Sequence, residues 1–165
     1  MGLEERKIKF NYEAEFEFNP HPGLLIAIEG LDGAGSSTQT QRLYQYFEGF
    51  KVGNGRLATK EPTDGPIGSM IKLALSRKLT LDHQTLQMSY MTDRSDHLFF
   101  PERGIIRALK EGWVVVTDRY MASTPSFGYA VGLDIDWLIA IQSKFPLPDF
   151  TFFLDVPAEE CIRRM

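Results

Sequence analysis

The chain has 165 residues, enough for one domain with a substantial core, and its 43% apolar and 24% charged residues are typical of globular proteins. No apolar run approaches the roughly 18 residues of a membrane span, and the charged N-terminus is unlike a secretory signal. The net charge of −4, without a basic stripe, argues against a nucleic-acid partner, and the single cysteine, Cys161, excludes an internal disulfide. We therefore expect a cytoplasmic protein, and a small anionic ligand is compatible with this charge.

Residues 1–22 form a predicted N-terminal extension. Apolar and polar residues alternate over 8–18, which predicts a half-buried strand, and the run over 19–23, rich in proline, ends it. Two interpretations are open: an edge strand added to the chain's own sheet, or a strand exchanged with a partner subunit.

From residue 23 onward, short apolar runs alternate with segments of helical periodicity. The sequence predicts strands at 24–28, 57–60, 113–117 and 150–154, and helices near 37–47, 67–77, 82–99, 101–112 and 134–144, with another from about 158. This alternation indicates βαβ units, and so an α/β fold with a doubly wound parallel sheet flanked by helices over 23–165.

A glycine-rich segment, GLDGAGSS over 30–37, lies between the first strand and the first helix. Its spacing, G-x-x-x-x-G-x-S in that context, is typical of a P-loop, whose backbone N–H groups and helix N-terminus bind phosphate. We expect the hydroxyl of Ser37 to be a Mg²⁺ ligand. The residues expected to bind ATP are Gly30, Gly33, Ala34, Gly35, Ser36, Ser37 and Thr38.

Ser36 departs from the motif, because a P-loop has a lysine at this position. A serine supplies a hydroxyl but no charge. If no other cation takes the place of the lysine, stabilisation of the transition state would be weaker by several kcal/mol. Lys60, in the loop after the second strand, is one candidate for a compensating cation.

Asp118 and Arg119 directly follow the third buried strand, at the carboxyl edge of the predicted sheet, where such folds bind ligands. An arginine there is suited to bidentate phosphate contact, and an aspartate to a place near Mg²⁺. A solvated ion pair at a strand end is the alternative.

Several further segments resemble thymidylate kinases, which phosphorylate dTMP with ATP. They lie in family order over about 24–165, at 26–33, 59–62 with 66–68, 92–94 with His97, 118–120 with Ser123, 146–149 and 154–157. The resemblance implies a P-loop kinase fold, the formation of dTDP for dTTP synthesis, and the use of ATP and Mg²⁺.

The resemblance also implies an acceptor site. Asp32 looks like the carboxylate that holds the 3′-hydroxyl of deoxyribose, Tyr90 like the aromatic that stacks on thymine, and Arg94 like the donor to thymine O4. Arg119 matches the arginine on the acceptor phosphate, and Asp118 the carboxylate near Mg²⁺; with Asp32 they form the implied catalytic set. The other implied dTMP contacts are Glu61, Pro62, Ser123, Thr124 and Phe127.

Other interpretations of these positions are open. Arg94 could lie on a solvated helix face and pair with Asp93 or Asp96, and Tyr90 could belong to the core. For His97 a structural role is favoured, because phosphoryl transfer needs positioning and charge more than a strong base.

In the resembled family, a lid that carries a catalytic arginine follows the helix that opens near Ala158, and this sequence ends inside that helix. The lid and the last strand are therefore expected to lie outside this sequence. Three interpretations follow: further chain completes the site, the protein binds nucleotides but turns over poorly, or it phosphorylates another nucleoside monophosphate. The resemblance also implies a homodimer formed through helices such as 82–99.

Overall fold

The computed structural model describes residues 14–49 and 53–165. Its elements are β1 (Leu24–Gly30), α1 (Ser36–Tyr46), β2 (Arg56–Lys60), α2 (Pro66–Leu75), α3 (His83–Phe99), α4 (Ile105–Lys110), β3 (Val114–Asp118), α5 (Ser123–Ala130), α6 (Ile135–Ala140), β4 (Phe150–Leu154) and α7 (Ala158–Arg164). The four strands form one parallel sheet in the order β2-β3-β1-β4, which confirms the α/β prediction. Within the described ranges, every helix is too short or too polar to cross a membrane.

The core lies on both faces of β1 and β3, the two central strands. On one face Leu25, Ala27 and Val115 pack with residues of α3 and α4, and on the other face Ile26 and Val116 pack near α1. Strands with both faces covered require continuous apolar runs, which is why these two strands are evident in the sequence.

The carboxyl ends of three neighbouring strands meet at one edge of the sheet. β1 leads into the glycine loop, β2 ends at Lys60 and β3 ends at Asp118; Lys60 and Asp118 are register partners. The parallel pairing thus assembles segments that are distant in the sequence at the place where this fold class binds ligands.

The predicted helix opening at Pro101 is wrong at its start, because α4 begins only at Ile105. Residues 101–103 form a turn, which the Gly104 N–H closes on the carbonyl oxygen of Phe100 at 2.7 Å. A Cβ at Gly104 would lie 2.5 Å from the carbonyl oxygen of Leu98, so only glycine fits this close return of the chain.

Helix α5 is absent from the sequence prediction, and α6 is shorter than the predicted 134–144. The α5 segment contains Pro125 and Gly128, which lower its helix propensity. Only glycine fits at position 128, since a Cβ there would lie 2.7 Å from both methyl carbons of Leu138 in α6. Tertiary packing therefore outweighs local propensity in this helix.

Most of the strand predicted over 8–18 lies outside the described residues. Over 14–18 the structure shows a single parallel bridge, between Phe18 and Leu147, instead of a continuous strand. The facing segment explains the short pairing: Leu147 lies between two prolines, 146 and 148, which have no N–H to donate to a ladder.

Candidate nucleotide-binding site

The glycine loop curves over the N-terminus of α1. Gly33 and Gly35 have φ values of 81° and 97°, in the left-handed region that favours glycine. A Cβ at Gly33 would lie 2.4 Å from the carbonyl oxygen of Cys161, whereas a Cβ at Gly35 would meet nothing within 4 Å. The loop is therefore packed on one side and open at Gly35, next to the positive end of an eleven-residue helix.

Ser37, in the first turn of α1, donates a hydrogen bond to Oδ2 of Asp118 at the end of β3. Oδ1 of the same carboxylate is buried, and no donor among the described residues reaches it; the Oγ1 atom of Thr40 is in the same situation. Ser37, Thr40 and Asp118 all line a cavity of about 660 Å³ at this edge of the sheet, which we call the donor cavity. Buried unpaired oxygens are costly unless a ligand or water pairs with them, so the cavity is suited to a cation or a hydrogen-bonding group.

Arg119 has a φ of 73°, which is uncommon for a residue with a side chain. Its N–H donates to the carbonyl oxygen of Ile28 at 2.9 Å, and its own carbonyl oxygen accepts from the Thr117 hydroxyl at 2.9 Å. The guanidinium donates to the carbonyl oxygen of Gly30 and, at 2.6 Å, to the carboxylate of Asp32. The backbone of Arg119 is thus held by β1 and β3, and its side chain is held by the glycine loop.

A second cavity, of about 420 Å³, lies between the loop, α3 and α5, and we call it the acceptor cavity. All nine residues that the sequence assigns to the acceptor line it: Asp32, Glu61, Pro62, Tyr90, Arg94, Arg119, Ser123, Thr124 and Phe127. Their contacts with a nucleotide stay predictions, but their convergence on one cavity is a property of the fold.

Arg94 forms the buried centre of this cavity's wall. Its side chain is 2% exposed and its guanidinium donates to Glu61, Thr124, Gln142 and the carbonyl oxygen of Tyr120. A base carbonyl that reached Arg94 would have to share or replace one of these acceptors. Thr124 is the least costly to replace, because its hydroxyl can turn to another partner.

The alternative of a solvated Arg94 is wrong. Its proposed partners are engaged elsewhere: Asp93 accepts from the N–H and hydroxyl of Thr63, and Asp96 accepts from Arg103. Arg94 and Asp93 occupy buried positions of α3, whereas the Asp96–Arg103 pair is on the surface.

Glu61 is the anionic partner of Arg94 and also lies beside His97. It lies within 2.6 Å of an Nη atom of Arg94 and 3.3 Å from Nδ1 of His97, whose Nε2 is 2.6 Å from the Thr59 hydroxyl. Burial by itself raises the pKa of the Glu61 carboxyl, but the charge of Arg94 and the contact with His97 outweigh it, so the pKa is lowered overall. His97 is thus held between Thr59 and Glu61, consistent with the structural role favoured for it.

Tyr90 was expected either to bind the acceptor or to belong to the core, and its position in the structure fits both roles. Met91 is in the core, whereas Tyr90 packs against that core and also lines the acceptor cavity. Burial, and then the charge of Asp32, raise the pKa of the Tyr90 hydroxyl, so the ring stays neutral near pH 7. Phe127 also lines the cavity, and the Arg119 guanidinium lies over its ring at 5.4 Å from the ring centroid.

Three polar residues of this region were not singled out from the sequence. Glu29 is buried and accepts from the N–H groups of Tyr120 and Ala122 and from the Ser123 hydroxyl, so it positions the segment after Arg119. Its signal is an acidic residue inside an otherwise apolar strand. Gln142 accepts from Arg94 and carries no comparable signal.

Gln87 is the third. It lines the acceptor cavity, is 4% exposed, and its Oε1 atom has no donor among the described residues. Its position three residues before Tyr90 places both on one face of α3, which the sequence could have indicated.

Comparisons with known proteins agree on one family. The sequence model of a family described as thymidylate kinase matches residues 28–165. The chain is 37% identical over 150 residues to a probable thymidylate kinase of Pyrococcus horikoshii, covering 87% of this chain and 70% of that protein. It is 35% identical over 146 residues to the thymidylate kinase of Desulfotalea psychrophila, covering 88% of this chain and 69% of the relative.

Solved structures give the same family. The fold is similar to the thymidylate kinase of Candida albicans, with a TM-score of 0.67 and 29% identity over 86% of this chain and 66% of that one. It is similar to the thymidylate kinase of Ehrlichia chaffeensis, with a TM-score of 0.68 and 27% identity over 86% of this chain and 77% of that one. The sequence thus spans about two thirds to three quarters of each relative's length.

Proposed function

The chain belongs to the thymidylate kinase family, and on this premise we propose that it transfers the γ-phosphate of ATP to dTMP, forming ADP and dTDP. One observation supports the proposal above the others: the nine acceptor residues predicted from the sequence line a single cavity. Two of them, Asp32 and Arg119, connect that cavity to the glycine loop.

The loop and the end of β3 hold the donor in this proposal. Backbone N–H groups of the loop and of the first turn of α1 bind the phosphates of ATP. Ser37 and Asp118 fit Mg²⁺, which prefers oxygen ligands, because the hydroxyl and carboxylate are in contact and no donor within 14–49 or 53–165 reaches the buried Oδ1 of Asp118. When bound, Mg²⁺ supplies positive charge to the β- and γ-phosphate oxygens.

The acceptor cavity holds dTMP. Tyr90 and Phe127 line the cavity with aromatic rings, while the buried Thr124 and Arg94 offer hydrogen-bond donors. Asp32, which is 69% exposed, accepts from the sugar hydroxyl. Arg119, which follows β3 and is hydrogen-bonded to the loop, contacts the acceptor phosphate.

Transfer then requires no strong base among these residues. An oxygen of the dTMP phosphate attacks the γ-phosphorus, the bond from that phosphorus to the β–γ bridging oxygen breaks, and its electron pair remains on ADP. Arg119 lies where donor and acceptor phosphates meet and stabilises the charge that develops between them.

We extend the proposal to a cytoplasmic homodimer. The structure divides the apolar residues of α3 into buried ones, such as Met91 and Leu98, and exposed ones, Met88 and Phe99; Leu73 on α2 is exposed as well. The exposed set is the surface available for a subunit contact. Sedimentation equilibrium of the full-length protein tests this, with a dimer mass expected and a monomer mass at all concentrations contradicting it.

The acceptor specificity is tested by a coupled assay of ADP formation with Mg²⁺–ATP and, in turn, dTMP, dUMP, dCMP and UMP. The highest kcat/KM is expected for dTMP, and EDTA is expected to abolish the rate. A clear preference for UMP, or ADP formation that does not depend on any monophosphate, would contradict the proposal.

A further inference from the structure

The phosphate-binding loop carries no cation of its own at the position where the P-loop motif has lysine. Ser36 occupies that position, is 8% exposed, and contributes no charge. The donor phosphates nevertheless bring several negative charges to this edge of the sheet. We propose that Lys60, at the end of β2, supplies the missing positive charge by contacting the γ-phosphate of bound ATP. The inference rests on the proposed function, because it takes ATP as the donor.

The sheet register places Lys60 beside the loop's metal-binding corner. Lys60 is the register partner of Asp118, on the neighbouring parallel strand, and adjacent strands are separated by about 4.8 Å. Successive side chains of a strand point to opposite faces. Thr59 is bonded to His97 of α3 on one face, so Lys60 lies on the other face, where Ser37 of α1 donates to Asp118.

The same arrangement opens Lys60 to the donor cavity. Lys60 lines that cavity together with Ser37, Thr40 and Asp118. Among the described residues no donor reaches the buried Oγ1 of Thr40 or Oδ1 of Asp118, and both residues line this cavity. The corner therefore combines unpaired oxygens, suited to a metal ion and its water, with one lysine on a flexible four-carbon stem.

Lys60 is held only weakly where it is. Its Nζ atom lies 3.2 Å from Asp64 in a pair whose side chains are 52% and 76% exposed, and such exposed pairs contribute about 1 kcal/mol or less. Asp64 also accepts from Lys72, so it keeps a cationic partner when Lys60 turns away. Movement of Lys60 toward a phosphate thus leaves no carboxylate unpaired.

The other basic residues at this edge have partners. Among the described residues that line the donor cavity, Arg103 pairs with Asp96 and stacks on Phe100 at 4.0 Å from the ring centroid, and His97 lies between Thr59 and Glu61. Arg119 is bound to the loop on the side of the acceptor cavity. Of these described residues, Lys60 can approach the donor at the lowest cost.

A contact to the γ-phosphate predicts a specific binding signature. Affinity for ATP depends on Lys60, whereas affinity for ADP, which lacks that phosphate, does not. We expect Lys60→Met in the full-length protein to weaken Mg²⁺–ATP binding by about tenfold or more while leaving Mg²⁺–ADP binding nearly unchanged, both measured by calorimetry. The rate of dTMP-dependent ADP formation is expected to fall by about a hundredfold.

A double variant tests whether a positive charge placed in the loop can replace that of Lys60. Adding Ser36→Lys to Lys60→Met returns a cation to the motif position and is expected to recover most of the lost ATP affinity and rate. Lys72→Met is the matched control, because it removes the other lysine on Asp64 but does not line the donor cavity; it is expected to leave the ATP-to-ADP affinity ratio unchanged.

The proposal is overturned if Lys60→Met lowers ATP and ADP affinity equally or not at all, or if Ser36→Lys fails to restore the ratio. This outcome is distinct from failure of the proposed function, which would show as wild-type protein without dTMP-dependent ADP formation. The ratio of the two affinities tests Lys60 in either case.

Discussion

The two cavities beside the glycine loop hold their lysine and arginine side chains in opposite ways. In the acceptor cavity, Arg94 and Glu61 form an ion pair whose side chains are 2% and 3% exposed. In the donor cavity, Lys60 and Arg103 are 52% and 55% exposed, and each pairs with an exposed or half-exposed aspartate. The first arrangement is fixed, because a buried charge without its partner is strongly unfavourable.

The exposed ion pairs of the donor cavity can break at little cost, since such pairs contribute little to stability. The difference suits the two ligands. A base is recognised by shape and by a few hydrogen bonds, which a rigid wall provides, whereas a triphosphate with its metal ion needs cations that can adjust.

Arg119 lines the acceptor cavity and is hydrogen-bonded to the glycine loop, so its loss should affect transfer more than ATP binding. We expect Arg119→Ala to lower kcat by about 10³-fold or more, because it removes charge where donor and acceptor phosphates meet, and to leave the Kd for ATP nearly unchanged. Steady-state kinetics and calorimetry measure the two quantities. Arg107→Ala, at an exposed pair with Glu111, is the control. Equal losses in kcat and ATP affinity would contradict a bridging role.

Removal of Arg94 should show how firmly the acceptor wall is fixed. Arg94→Leu leaves Glu61 buried without its main partner, and we expect the free energy of unfolding in urea to fall by about 3–5 kcal/mol. Arg103→Leu removes an exposed arginine whose partner, Asp96, is on the same helix as Arg94; its cost should stay at about 1 kcal/mol or less. Similar costs for the two variants would remove the contrast between the cavities.

The Glu61 carboxyl should make stability depend on acid pH. Its pKa in the folded protein is below the ordinary value of 4.5, so its contribution is fully present above the unfolded pKa and is lost as pH falls through the folded pKa. We expect the free energy of unfolding to decrease below about pH 4.5 and the decrease to persist in high salt, because a buried pair is poorly screened. A decrease that high salt abolishes would assign it to exposed carboxylates such as Asp64 and Glu160.

Substitution of Gln87 should have the smallest effect, and it should raise the free energy of unfolding rather than lower it. No donor in the described part of the chain reaches its buried Oε1, so Gln87→Leu removes an unpaired oxygen at similar side-chain volume and should raise the free energy of unfolding by about 1–2 kcal/mol. Gln84→Leu, at an exposed position of the same helix, is the matched control and should change stability by about 0.5 kcal/mol or less. A stability loss in Gln87→Leu would show that the amide has a structural partner.

Local signals were sufficient to predict the strands and the loop. β1 and β3 are continuous apolar runs because both their faces are covered, and the glycine loop is a motif because two of its positions require a left-handed backbone. The convergence of Asp118 and the loop followed from parallel strands having their carboxyl ends at one edge.

Features that depend on tertiary contacts were not predictable from local patterns. α5 has the composition of a poor helix and exists because Gly128 packs against Leu138. The burial of Arg94 depends on Glu61, 33 residues away, and on Gln142, 48 residues away. Periodicity could place Arg94 on a face of α3 but could not show what covers that face.

In the proposed function, donor and acceptor nucleotides meet at Arg119 and a phosphate moves from one to the other. This is tested by incubating full-length protein with Mg²⁺, dTMP and ATP labelled at the γ-phosphate and then separating the products. We expect the label to appear in dTDP, and Arg119→Ala to nearly abolish its appearance. Label recovered only as inorganic phosphate, or not released from ATP, would contradict the proposed function.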